Sequence, residues 1–305
     1  MPWMLAAGVN ASRPQIQDQT MAGYPVPGAP PIVTLVSPGA EPRRPLRYTV
    51  ANTYHARAAI ATHTVTAVSM EGMAMPSLQL PPLKGGYDVS VTSVSATGDI
   101  SFSVAFTGIS AENGVVVDPA IAEAIQTLGA DYKTIHGAVV MSDRGAARSS
   151  AFDVSKLTNL QLRQTLAALT DAVENISMPL PEEPVGAGAS WEVRHGVMKS
   201  GMVTFRKNLV QLVAIDGKTV TLKTAGTLTA PPQAVHDPTL LPGTDSFLQK
   251  LSGDSAGTMT LQLDALIQTS DTSAQTNAVM ELRVGTVSQR ITVDTMTKVA
   301  ISPVK

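Results

Sequence analysis

Alternation of apolar and polar residues predicts β-strands along most of this chain. The clearest run covers residues 100–107, where every second residue is apolar over eight positions: Ile100, Phe102, Val104 and Phe106. A period of two is typical of a strand with one buried face. We expect a strand at 99–109, which contains this run, to pair with residues 87–95 in a hairpin that turns at 96–99. Further strands are predicted at 32–36, 46–68, 137–141, 149–154, 191–194, 203–205, 209–215, 219–224, 258–269, 278–284 and 290–301.

Helical spacing is confined to a few short stretches. Asp118 as N-cap and Pro119 at the first helical position predict a short helix through 128 that Gly129 ends. One helical turn is predicted at 246–251. The strongest signal is a capping box at Thr158, followed by a stripe at 3.6-residue spacing: Leu162, Leu166, Leu169, Val173 and Ile176. We expect this second helix, 158–175, to lie on the apolar face of the sheet.

Proline and glycine divide the chain into an arm and a body. Residues 12–45 are rich in Pro and Gly, which favours an extended arm, and residues 46–305 form the predicted β-rich body. Within the body, a Pro/Gly link at 178–189 joins the halves 46–177 and 190–305. Residues 1–11 are apolar and end in Val9-Asn10-Ala11, a small-x-small pattern typical of a signal-peptide cleavage site. We therefore expect a periplasmic or secreted protein; the alternative is an ordinary apolar N-terminus, because the basic region that usually begins a signal peptide is lacking.

Composition narrows the function classes. The 305 residues carry 22 basic and 24 acidic side chains, a net charge of −2, so nothing favours a nucleic-acid partner. Cysteine is absent, which excludes disulfides and a thiol nucleophile. No apolar run approaches the 18 or so residues of a transmembrane helix.

The link carries the one motif that resembles a known family. Pro181, Pro184, Gly186, Gly188 and Trp191 form the pattern Pro-x-x-Pro-x-Gly-x-Gly-x-x-Trp, which resembles that of uncharacterised exported bacterial β-proteins. More remotely, the predicted architecture is similar to the periplasmic lipoprotein carriers. This resemblance implies a sheet with an apolar interior that holds an acyl chain or a sterol-like ligand, and it supplies no functional residues.

Three other patterns are candidate sites. The segment 252–257, Ser-Gly-Asp-Ser-Ala-Gly, and the histidine His63 are similar to parts of trypsin-like proteases, but alanine replaces the family's glycine at 256, and a polar turn is the favoured interpretation. Met70, Met73 and Met75, with His55 and His63, could bind Cu(I) through soft sulfur, although methionine more often packs as an apolar residue.

The third pattern is the set of scattered histidines His136, His195 and His236. They lack the paired spacing of a metal site, and we interpret them as solvated or capped. Trp191 is interpreted as a buried anchor of its strand.

The sequence therefore predicts a mainly β protein with a curved antiparallel sheet or half-open β-barrel and one or two helices on its apolar face. We expect a non-enzymatic protein without cofactor or metal that binds an apolar ligand such as a lipid. The predicted ligand residues are Ile100, Phe102, Val104, Phe106, Leu166 and Leu169. The alternative is a structural module of the cell envelope that binds a protein partner.

Overall fold

The computed structural model describes residues 20–76, 81–153, 177–199, 202–235 and 243–304. Nearly all regular structure in these ranges is β-strand, so the predicted mainly β fold is confirmed. The strands are β1 Ile32–Ser37, β2 His55–Met70, β3 Met73–Ala74, β4 Leu83–Val94, β5 Ile100–Ala111, β6 His136–Met141, β7 Ala147–Asp153, β8 Ser190–Lys199, β9 Met202–Asp216, β10 Thr219–Ala230, β11 Gln233–Val235, β12 Thr244–Gln262, β13 Thr269–Val284 and β14 Val287–Val304.

All fourteen described strands belong to one antiparallel sheet. The strand order is β1-β8-β9-β10-β12-β13-β14-β2-β4-β5-β6-β7, with β3 and β11 attached beside β2 and β12. The sheet is open, and β1 and β7 form its edges. Because β14 pairs with β2, the last strand of the chain joins the two predicted halves side by side.

The link at 178–189 connects the two ends of the sheet. Strand β8 follows β7 in the chain but lies at the other end of the strand order. Leu180 donates its N–H to the carbonyl oxygen of Arg144 at 2.8 Å, beside the β6–β7 turn. The indole N–H of Trp191 on β8 donates to the carbonyl oxygen of Pro179 at 2.9 Å. The link therefore holds the two ends close enough to share one core.

That core fills the space between the two ends. Trp191, Val210 and Leu222 from one end and Val89 and Phe102 from the other are buried in one cluster. Trp191 is fully buried, as predicted. We call the face of the sheet that carries these residues the inner face.

The described part of the arm is integrated in the sheet, although the folded body was predicted to start at residue 46. Strand β1 pairs with β8, with Leu35 opposite Trp191, and Arg44 pairs with Val185 in the link. The edge-strand prediction at 32–36 is confirmed. Residues 46–50 are not in a strand; Leu46, Tyr48 and Val50 are buried against the core instead.

Helix α1, Pro119–Tyr132, is the one helix among the described residues. Asp118 caps it as predicted, since its side chain accepts a hydrogen bond from the N–H of Ala120 at 2.9 Å. The predicted end at Gly129 is wrong, because the helix continues for three more residues. Gly129 is needed for packing: a Cβ there would lie 2.2 Å from the carbonyl oxygen of Ile109 on β5.

Long strands replace several predicted breaks. The hairpin at 87–109 and the turn at 216–217 are confirmed, but residues 246–251 lie in β12 rather than in a helical turn. The segment 252–257 is also within β12, so the turn interpretation is wrong. Pairing with β10 on one side and β13 on the other satisfies the backbone there. The second predicted helix, with Leu166 and Leu169, and the signal-like residues 1–11 lie outside the described residues.

Candidate functional site

A cavity of about 340 Å³ lies on the inner face. Its floor is formed by β8, β9, β10, β12 and β13, and the start of the link closes the opposite side with Ser177, Met178 and Pro179. The side chains on the floor stand in register across the strands. They include His195, Arg206, Asn208, Thr224, Leu228, Ser255, Met259, Thr272, Ala274 and Thr276. We call this space the inner cavity.

Glycine and other small residues make room for the inner cavity. Gly253 and Gly257 lie on the inner face of β12, with Ser255 between them, and Ala274 is opposite Ser255 on β13. Gly226 on β10 is also opposite Ser255 and lies beneath the tips of the Asn208 and Ser255 side chains. Glycine inside a strand weakens it and often marks a close approach of a ligand or another backbone. The spacing of glycines in β12 therefore fits a floor kept free of large side chains.

The inner cavity is polar and cationic at one end. His195 and Arg206 are paired across β8 and β9, and Asn208 is the next inner-face residue on β9. Burial of the ring, with a smaller contribution from the charge of Arg206, lowers the pKa of His195 to about 4. At neutral pH the imidazole is therefore uncharged, and the guanidinium of Arg206 is the cation at this end.

The other end of the inner cavity is apolar. Met178 and Pro179 of the link and Met259 of β12 line it. Arg206 is opposite Leu228, and Met259 is opposite Leu222 on the same strand β10. Leu228 and Leu222 are six positions apart along β10, a span of roughly 20 Å at about 3.3 Å per residue. The cavity thus runs along the strands from a cationic to an apolar end.

Two further cavities lie on the opposite, outer face. One of about 420 Å³ is lined by Val65, Asp254, Asn277, Asp294 and Met296, among others. A shallower groove of about 670 Å³ includes Leu209, Lys223 and Ala256. Both are more open to solvent than the inner cavity, and the link does not line them. A small ligand would bury less of its surface in either.

The ligand residues predicted on β5 lie in a filled core. Ile100, Phe102 and Val104 are each 1% exposed and Phe106 is 7% exposed. The ring of Phe106 packs against those of Tyr87, Tyr132 and Phe152. None of the four lines the inner cavity. Alternation identified the buried face correctly, but packing from the helix and from β7 occupies the space that a ligand would need.

The protease-like residues do not come together. Ser255 is on the inner face of β12, whereas His63 on β2 is exposed on the outer face. Strands β13 and β14 lie between them, which separates the backbones by roughly 14 Å at about 4.8 Å per strand. His63 is therefore too far from the Ser255 hydroxyl to act as its general base.

The methionine cluster is only partly assembled. Met70 and Met73 are paired at the β2–β3 hairpin, and Met73 and Met75 are exposed. His63 lies seven residues from Met70 along the strand, roughly 23 Å, and His55 is farther still. Copper binding by the thioethers alone stays an untested alternative to packing. Among the described residues, no group of three or more His, Asp or Glu side chains is placed to hold a metal ion.

Within the described ranges, none of the helical structure has the length and apolarity required to cross a membrane. The chain matches no known protein-family model and none of the curated proteins with which it was compared. The resemblance of the link motif to exported bacterial β-proteins therefore stays a prediction.

The two residues that give the inner cavity its polar, cationic end, His195 and Arg206, were not among the predicted ligand residues. His195 was interpreted as solvated or capped, which is wrong, because it is largely buried in the cavity. Arg206 follows Phe205, which is buried on the outer face of β9, where its ring packs against Tyr24. The alternation of apolar Val203 and Phe205 with polar Thr204 and Arg206 places Arg206 on the polar face of the strand, so no local signal marks it as a cavity residue. His236 lies outside the described residues.

Proposed function

We propose that this protein is a non-enzymatic binding or carrier protein that holds one small amphipathic molecule in the inner cavity. The observation that carries the proposal is the cavity itself, a partly enclosed space between the sheet and the link with one polar and one apolar end. Cavities of this kind are default ligand sites, and about 340 Å³ is near the lower end of their usual range of roughly 300–1,000 Å³.

The volume sets the size of the ligand. At about 30 Å³ for each water-sized group, the inner cavity accommodates roughly eleven such groups. A medium-chain amphiphile such as decanoic acid has this size. Larger lipids would need space beyond the described lining, so the proposal is narrower than the lipid carrier expected from the sequence.

Location in the bacterial envelope is part of the proposal and is supported by the resemblance of the link motif. Cell fractionation of the native host, followed by immunoblotting, tests it. The protein in the periplasmic or secreted fraction would support an envelope role, and protein confined to the cytoplasmic fraction would contradict it.

Isothermal titration calorimetry with decanoic acid tests the binding function. We expect one site in the unmodified protein and a loss of affinity of at least about tenfold in Ala274→Leu, because the larger side chain fills part of the cavity. Ala300→Leu is the matched control, since Ala300 is exposed on the outer face of β14 and lines none of the three cavities.

The control should bind decanoic acid like the unmodified protein. Circular dichroism and thermal melting should confirm that both variants are folded. Absence of binding to the unmodified protein, or equal affinity in a folded Ala274→Leu variant, would overturn the proposed function.

A further inference from the structure

We propose that Arg206 is the anchor for an anionic head group, so that the inner cavity selects alkyl carboxylates or alkyl phosphates over neutral and cationic amphiphiles. The inference rests on the proposed binding function and names the chemical class of its ligand. It assigns a specificity-determining role to one residue.

The first observation concerns the charge of Arg206. Its side chain is half-buried and lines the inner cavity, yet among the described residues no hydrogen-bond or ion-pair partner is present for it. A partly buried charge is costly unless it is paired. By contrast, the neighbouring cations Arg194 and Lys207 face outward and share the carboxylate of Glu192 at 2.7 and 3.7 Å.

The second observation is the charge of the groups that surround Arg206. His195, across the strand pair from Arg206, is neutral at pH 7 because its pKa is lowered, and it can donate or accept one hydrogen bond. Asp254 is the one acidic residue in the lining. Its side chain belongs to the outer face, since it is exposed and in register with Thr227. No carboxylate of the described lining therefore competes for Arg206 from the inner face.

The third observation is the set of neutral hydrogen-bonding groups near the cation. Asn208 follows Arg206 on the inner face of β9, and His195 is opposite Arg206 on β8. Guanidinium binds carboxylate and phosphate oxygens through two parallel N–H donors, and the amide of Asn208 and an imidazole N–H of His195 can satisfy the remaining lone pairs. The alkyl chain of the ligand then extends toward Met178 and Met259.

Titration calorimetry with a matched ligand series tests the assignment. Decanoic acid, decyl phosphate, decanol and decyltrimethylammonium share one chain and differ in head group. We expect the unmodified protein to bind the two anions at least about tenfold more tightly than decanol, because a hydrogen bond to a charged group has this magnitude. The ratio of carboxylate to phosphate affinity identifies which anion fits better.

Substitutions of Arg206 test whether this residue causes the preference for anions over decanol. Arg206→Gln should weaken binding of the better anion by about 10- to 100-fold and leave decanol within about twofold. Arg206→Lys retains the charge but not the paired donors, so its loss should be smaller. The matched control is Lys207→Gln, which removes one positive charge from the adjacent residue on the opposite face and should change every affinity by less than about twofold.

A second measurement does not depend on the folding of the Arg206 variants. In the unmodified protein, NMR signals of the His195 ring should show a higher pKa when an anion is bound, because a negative charge nearby favours the imidazolium. Decanol should leave that pKa unchanged. An equal change in the pKa of His195 with the anion and with decanol would contradict the placement of the head group beside Arg206.

The outcomes separate the two proposals. If decanol and the anions bind equally and Ala274→Leu abolishes binding of all of them, the cavity is a ligand site, but the role of Arg206 is refuted. If no member of the series binds the unmodified protein, both proposals fail.

Discussion

The lowered pKa of His195 should make the free energy of unfolding of this protein depend on pH. The ring is largely buried beside Arg206, and its pKa is lowered from 6.5 to about 4. The unfolded chain therefore takes up a proton on this residue between pH 6.5 and 4, while the folded protein does not. Since the unfolded state binds more protons in this window, the free energy of unfolding falls as the pH falls. The lowering of the pKa from 6.5 to about 4 corresponds to about 3 kcal/mol of unfolding free energy once the pH is below both values.

Urea denaturation between about pH 7 and about pH 4.5 measures this contribution. Carboxylates with lowered pKa values, such as Asp88 beside Arg57, also lose their stabilising effect as the pH falls, so the comparison must be made between variants. In His195→Gln, the loss of unfolding free energy over this range should be about 2–3 kcal/mol smaller than in the unmodified protein. The variant His63→Gln, at an exposed histidine, serves as the control and should follow the unmodified protein. Parallel pH profiles for His195→Gln and the unmodified protein would refute a buried, neutral His195.

Two further predictions concern packing. Gly129→Ala raises helix propensity, yet it should lower the free energy of unfolding by about 1–3 kcal/mol, because the new Cβ would press against the carbonyl of Ile109. The control Thr127→Ala, on the exposed side of α1, should be neutral or slightly stabilising. A stabilising effect of Gly129→Ala would contradict the close contact. Trp191→Phe removes the hydrogen bond to the buried carbonyl of Pro179 and part of the ring volume, so urea denaturation should show a loss of about 2–4 kcal/mol. An unchanged midpoint would mean that the link is not held by this residue.

Features set by nearby residues were predictable from the sequence. The alternation in residues 100–107 identified β5 and its buried face, and Asp118-Pro119 identified the start of α1, because both signals act within a few residues. The end of α1 was not predictable in the same way. Gly129 follows the local rule for a helix terminus, but its lack of a side chain serves contact with β5, which depends on tertiary structure.

Features set by long-range pairing were not predictable. The segment 252–257 has the composition of a turn, yet strands on both sides satisfy its backbone and keep it extended. The pairing of β14 with β2 joins opposite ends of the chain. The inner cavity also depends on tertiary structure, because Met178 of the link lies opposite strands that come later in the chain, and its position in the sequence does not reveal this contact.

The most direct test of the central claim is a crystal structure with ω-bromodecanoic acid, in which anomalous scattering locates the bromine. The account predicts one ligand in the inner cavity, with its carboxylate at the guanidinium of Arg206 and its bromine between Met178 and Met259. Bromine on the outer face, beside Val65 and Met296, or an inner cavity without ligand at saturating concentration would contradict it.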